Sequence, residues 1–103
     1  MIKVIIESPY AGNIKENVKY AKECLLDSLN RGESPIASHL LYTQVLKDSD
    51  INQRRMGINA GLVWLDVTDK HIFYADLGYS PGMLEAFAYS KSKGIAVEER
   101  YIR

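Results

Sequence analysis

The chain has 103 residues, and its 13 Lys and Arg balance its 13 Asp and Glu, so the formal charge is zero with both histidines neutral. One domain spanning residues 1–103 is expected, burying roughly 65% of the surface that the unfolded chain exposes. The 47% hydrophobic and 25% charged residues exclude a disordered or low-complexity chain. The charge balance argues against a nucleic-acid partner, which needs a surplus of Lys and Arg on one face. No apolar run approaches the about 20 residues that cross a bilayer, so no membrane partner is expected. Met1-Ile2-Lys3-Val4 reads as the approach to a strand rather than a signal peptide, so a cytoplasmic location is expected. The single Cys24 has no internal disulfide partner, and two scattered histidines give no metal-ligand spacing. Small-molecule and protein partners remain.

In chain order, Ile2 to Ile6 is a short β-branched run broken only by Lys3 and closed by Ser8-Pro9, as in a strand buried on both faces. After Gly12-Asn13, Ile14, Val18, Ala21, Leu25 and Leu29 recur at steps of three and four, the pattern of an amphipathic helix. It should end near Asn30-Arg31-Gly32, where Gly32 can take the left-handed cap conformation. Ser34 to Ser38 reads as a brief second strand, with His39-Leu40-Leu41-Tyr42 at its carboxyl end. Lys47 to Asp50 reads as a loop supplying an N-cap, Ser49 or Asp50, to a helix from Ile51 to about Val67. On that helix Met56, Ala60, Val63 and Val67 share a side, and Gly57 and Gly61 permit close backbone approach. His71 to Ala75 reads as a third strand, Pro81 as the first turn of a helix running through Met83 to Lys93, and Ile95 to Tyr101 as the last strand.

The order β-α-β-α-β-α-β requires right-handed crossovers, hence a mainly parallel sheet of about four strands covered on both faces. The fold class is α/β: a small Rossmann-like or flavodoxin-like three-layer sandwich. Ligands of such sheets lie beyond the carboxyl ends of the strands. Attention therefore falls on Ser8 to Asn13, Ser38 to Tyr42, Asp76 to Gly82 and the tail after Val97.

Each of these loops supports a functional reading and a structural one. Ser8, Tyr10, Gly12 and Asn13 open a helix whose free N–H groups attract anions, although an ordinary tight turn with Tyr10 over the core has the same composition. His39 offers a neutral imidazole to a base or a phosphate, or it caps the strand end. Asp76 and Glu85 are two carboxylates that can converge for covalent and acid–base chemistry at a sugar anomeric carbon; otherwise Asp76 starts a turn and Glu85 favours its helix terminus. Arg54 and Arg55 suit a phosphate contact or a solvated helix face. Met56 and Trp64 read as core or subunit contact in preference to a stacking surface for a base.

The opening I-I-E-S-P-Y-A-G-N, then S-P-I-A-S-H-L-L-Y, R-x-x-G-x-N-x-G-L-x-W-L and D-L-G-Y-S-P-G-M-L-E, resemble the nucleoside 2-deoxyribosyltransferase-like superfamily. Within it they are most similar to the small bacterial and phage group called DUF4406. The likeness runs over essentially the whole chain. It implies a nucleoside or nucleotide pocket and a Glu nucleophile that takes the deoxyribosyl group while the base departs. Glu85, just after Gly82-Met83, matches that nucleophile; Tyr10 matches a first-loop tyrosine that contacts the sugar or orients the glutamate, and Asp76 lies near the place of a sugar-binding carboxylate.

Two positions depart from the pattern. The group's glutamate is expected four residues after the glycine, where this chain has Ala86, and the second acidic residue of active transferases has no match near Gly61, the nearest polar side chain being Asn59.

The expected activity is transfer or hydrolysis at the N-glycosidic bond of a deoxynucleoside or deoxynucleotide, needing no metal or redox cofactor. The alternative is a non-catalytic module that sequesters a nucleotide-derived signal. Gly12, Asn13, Ser80 and His39 are expected to meet the anionic end of the ligand. Small members of the superfamily look like obligate oligomers, so a homodimer or higher homo-oligomer is expected, joined through the helix from Ile51 to Val67.

Overall fold

The computed structural model describes all 103 residues. Four parallel strands, β1 (Lys3–Glu7), β2 (Ser34–Ile36), β3 (Lys70–Tyr74) and β4 (Val97–Arg100), form one sheet in the order β2-β1-β3-β4. Between them run α1 (Ile14–Asn30), the one-turn α2 (Ser38–Leu41) continued by a 3-10 turn at Tyr42–Gln44, α3 (Ile51–Val63) continued by a 3-10 turn at Trp64–Val67, and α4 (Pro81–Lys93). The expected three-layer parallel sandwich is thus present. Strands β1, β3 and β4 shift by one or two residues from their expected bounds, and two further differences are larger. The segment after β2 coils into α2 instead of extending to Ser38, and the last turn of the third predicted helix tightens to 3-10 geometry at Trp64.

Strand parity sorts the core. Val4 and Ile6 of β1 and Ile72 and Tyr74 of β3 point to one face and pack with Tyr20 and Cys24 of α1. Phe73 points to the other and packs with Met83 and Ala86 of α4, supported by Leu62 of α3. Ile5, Glu7 and His71 share that second face by the same alternation.

The helices begin where short polar side chains can accept free N–H groups. Asn13 accepts from the Glu16 N–H at 3.3 Å, Asp50 from those of Asn52 and Gln53 at 2.9 and 3.0 Å, and Ser80 from that of Met83 at 3.2 Å. Pro81 occupies the first turn of α4, and Gly94 ends it with φ +71°.

The chain leaves β1 toward β2 on one side and reaches β3 and β4 on the other. The carboxyl ends of β1 and β3 therefore flank the switch point at which α/β sheets open a crevice.

Candidate active site at the β1/β3 crevice

A cleft of about 350 Å³ occupies that crevice, at the small end of the range for small-molecule pockets. The end of β1 contributes Glu7, Ser8 and Tyr10; α2 and α3 form one wall, and Ser80 with the first turns of α4, Pro81 to Met83 and Glu85 to Ala86, form the other. The first loop is pinned from beneath. Asn17 Nδ2 donates to the carbonyls of Tyr10 and Ala11 at 2.9 and 3.0 Å, and Gly12 turns the chain at φ +98°, a conformation other residues rarely adopt.

Of the residues singled out by sequence, Ser8, Tyr10, His39, Arg54, Arg55, Ser80, Gly82, Met83 and Glu85 line this one cleft. Glu85 faces Arg55 across its mouth in a two-pronged pair, Nη1 to Oε2 at 2.5 Å and Nη2 to Oε1 at 3.2 Å. Although Glu85 is one step short of the expected spacing, the cleft wall includes both Glu85 and the buried Ala86. Arg54 turns instead to Asp48, donating from Nε to its carbonyl at 2.9 Å.

Three predicted site residues lie elsewhere. Gly12 and Asn13 are not part of the cleft lining, and the Asn13 side chain caps α1. Asp76 is also outside it: its carboxylate accepts from the Tyr20 hydroxyl at 2.6 Å and from the backbone N–H groups of Ile102 and Arg103 at 3.0 and 2.9 Å. Those partners occupy Asp76 on the α1 side of the sheet, so the convergence of Asp76 with Glu85 does not occur. The physical reason is the tail after β4, which runs on past the end of β3 and takes the carboxylate as its anchor.

His39 sits in the first turn of α2, not at a strand end. Its Nε2 lies 2.7 Å from Ser8 Oγ, while Nδ1 is buried without a partner. Burial lowers the imidazole pKa, with the Glu7 charge opposing, so the ring is neutral at pH 7. A neutral ring with one unmatched nitrogen can accept or donate one hydrogen bond according to tautomer.

Glu7 and His71 escaped the sequence reading, which took the first strand as apolar to its end. Period-two alternation from Ile5 places both on the cleft side of the sheet, and that was the available signal. His71 is fully buried, its Nε2 2.9 Å from Glu7 Oε2 and its Nδ1 2.6 Å from Ser90 Oγ.

A family model described as a domain of unknown function, DUF7768, matches residues 2–100. Among solved structures, one described as a 2-desoxiribosyltransferase from Leishmania mexicana superposes with a TM-score of 0.62 at 12% identity, covering 100% of this chain and 66% of that chain. This chain is thus similar in fold to that protein and spans just under two thirds of its length. No curated protein matches the sequence.

Proposed function

The chain belongs to the DUF7768 family of domains of unknown function, and from that premise we propose that it processes nucleosides or nucleotides, cleaving or transferring at the N-glycosidic bond of a deoxynucleoside or deoxynucleotide with Glu85 as nucleophile. The observation that carries this reading is the cleft at the β1/β3 switch point, which gathers Glu85, Tyr10, Ser80 and Arg55 around a space of small-molecule size. The shared fold with a protein described as a 2-desoxiribosyltransferase supports it.

An oxocarbenium-like transition state asks for a carboxylate beside the anomeric carbon, and Glu85 can supply it once Arg55 is drawn to an anionic group of the ligand. A nucleotide is accordingly preferred to its nucleoside, because a phosphate competes with Glu85 for the Arg55 guanidinium. Tyr10 steadies the sugar from the first loop. Incubation with a panel of deoxynucleosides and their monophosphates, with and without an acceptor base, should yield free or exchanged base, and Glu85→Ala should lower that rate about 10³-fold or more. No base release from any substrate, or an active Glu85→Ala protein, overturns the assignment.

A second reading is favoured by the Arg55–Glu85 pair itself, which engages both carboxylate oxygens. On it, the domain holds a nucleotide without turning it over, and ligand recovered after denaturation is chemically unchanged. A nucleotide screen by thermal shift, followed by analysis of the released ligand, separates the two readings. Under either, the partner is a small molecule, and two or more copies of the chain associate through α3.

A further inference from the structure

Two glutamates with similar exposure are treated differently by this fold. The Glu33 side chain, 10% exposed, meets Arg100 Nη2 at 2.6 Å. The Glu7 side chain, 14% exposed, lies within 4.0 Å of no Lys or Arg nitrogen; its hydrogen-bonded ionisable neighbour is His71 at 2.9 Å, and His39 is near enough to feel its charge. No Lys or Arg claims the Glu7 carboxyl, so within the cleft it stays open to chemistry in a way that Glu33 does not. The hydrogen bond that Glu7 makes runs through Oε2 to His71 Nε2. In the tautomer in which Ser90 Oγ–H donates to Nδ1, His71 presents N–H at Nε2 to Glu7 Oε2, leaving Oε1 to the cleft that Glu7 lines.

We propose that Glu7 is the proton-carrying group of this cleft, handing a proton to the departing base while Glu85 takes the sugar. The proposal rests on the N-glycosidic reading above, and fills the place that Asp76 vacates. In the first step a Glu85 oxygen bonds to the anomeric carbon as the carbon–nitrogen bond breaks; the bonding pair stays on the base, which takes the proton from Glu7 Oε1. In the second, water oxygen bonds to the same carbon, the Glu85 ester opens to return its carboxylate, and Glu7 recovers one proton from that water. Each step conserves atoms and charge, with base and deoxyribose as products. His71 and Ser90 are positioning residues: the Nε2–H bond steadies the Glu7 carboxylate that each proton donation leaves behind.

The test compares a deoxynucleoside, whose base leaves poorly without a proton, with 4-nitrophenyl 2-deoxyriboside, whose phenolate leaves without one. Glu7→Gln keeps an acceptor for His71 and should lose about 10²–10⁴-fold on the deoxynucleoside. It should still release a burst of one nitrophenolate per site before stalling, because deglycosylation lacks its base. Glu85→Gln should lose both reactions. Deoxynucleoside cleavage by Glu7→Gln at the wild-type rate, or absence of the burst from a folded Glu7→Gln protein, overturns the role of Glu7 and leaves the glycosidic reading standing. Wild-type protein that releases neither base nor nitrophenolate overturns both. Should circular dichroism show Glu7→Gln unfolded, Glu7→Asp decides: retention of deoxynucleoside cleavage at a reduced rate supports the proposal, and a rate equal to wild type overturns it.

Discussion

Asp76 and Glu33 show what a carboxylate does when the fold claims it. Burial pulls the Asp76 carboxyl upward, but hydrogen bonds from Tyr20, Ile102 and Arg103 together outweigh this and hold it below its ordinary value. Asp76→Ala should therefore free the tail, costing about 1–3 kcal/mol and speeding amide exchange at Ile102 and Arg103, with nucleotide binding in the cleft unchanged. A loss of ligand affinity equal to that of Glu85→Ala would return Asp76 to the site. Glu33 accepts from Arg100 Nη1 and Nη2 at 2.8 and 2.6 Å and from Ser28 Oγ at 2.7 Å, and the Arg100 bonds push its carboxyl down to about 2. A carboxylate whose folded pKa is depressed adds stability that is complete above its unfolded value of about 4.3 and disappears as pH falls toward its folded value. Urea midpoints should thus decline from about pH 5 toward pH 2, and Glu33→Gln should flatten that decline. At pH 7 the same variant should cost about 1–3 kcal/mol, since it removes one of the two carboxylates that pair with the buried Arg100 guanidinium and leaves Glu98 as the other.

At the scale of elements, the contact between α2 and α3 shapes the cleft wall. A Cβ on Gly61 would stand 2.9 Å from Ser38 Oγ and 3.3 Å from Ser38 Cβ, and one on Gly57 would stand 3.3 Å from Leu46 Cδ1. Gly61 lets α2 lie against α3, and Gly57 does the same for the segment Tyr42 to Leu46 that follows it, the close approach that the two glycines led one to expect. Gly61→Val should force the helices apart at a cost of about 1–3 kcal/mol in thermal melts, and weaken binding because Gly61 and Ser38 both line the cleft. An unchanged melting temperature would show that Ser38 swings aside freely. The existence of α2 was not legible in the sequence: periodicity needs a window of about 11–18 residues, and a four-residue turn offers none.

Across the whole molecule, α3 turns much of its apolar surface outward. Met56, Val63 and Trp64 are 60%, 66% and 49% exposed, and Ile51 and Val67 lie on the same element and its 3-10 extension. Grouped exposed apolar side chains mark contact surfaces more often than single ones do, and zero net charge opposes no self-association. Light scattering at micromolar concentration should give at least twice the 11.7 kDa chain mass, and the double change Met56→Lys, Val63→Glu should halve it. A wild-type monomer would refute association through α3. No helix is long and apolar enough to cross a membrane.

The sequence alone determined the order of the four strands along the chain and of the three long helices between them, and narrowed the cap of α3 to Ser49 or Asp50, because periodicity and N-capping act over one to four turns of chain. It also marked Tyr10, Glu85 and Ser80 as neighbours of the strand ends, since every βα loop of a parallel sheet opens at the same edge. Only the tertiary structure decided which carboxylates line the cleft. Asp76 and Glu7 both stand near carboxyl ends of central strands, yet the tail draws one to the α1 side while strand parity and His71 hold the other in the cleft. That choice depends on pairings 64 and 27 residues apart in the chain, whose energies come from burial and hydrogen bonding in the assembled sheet, and no local pattern encodes them.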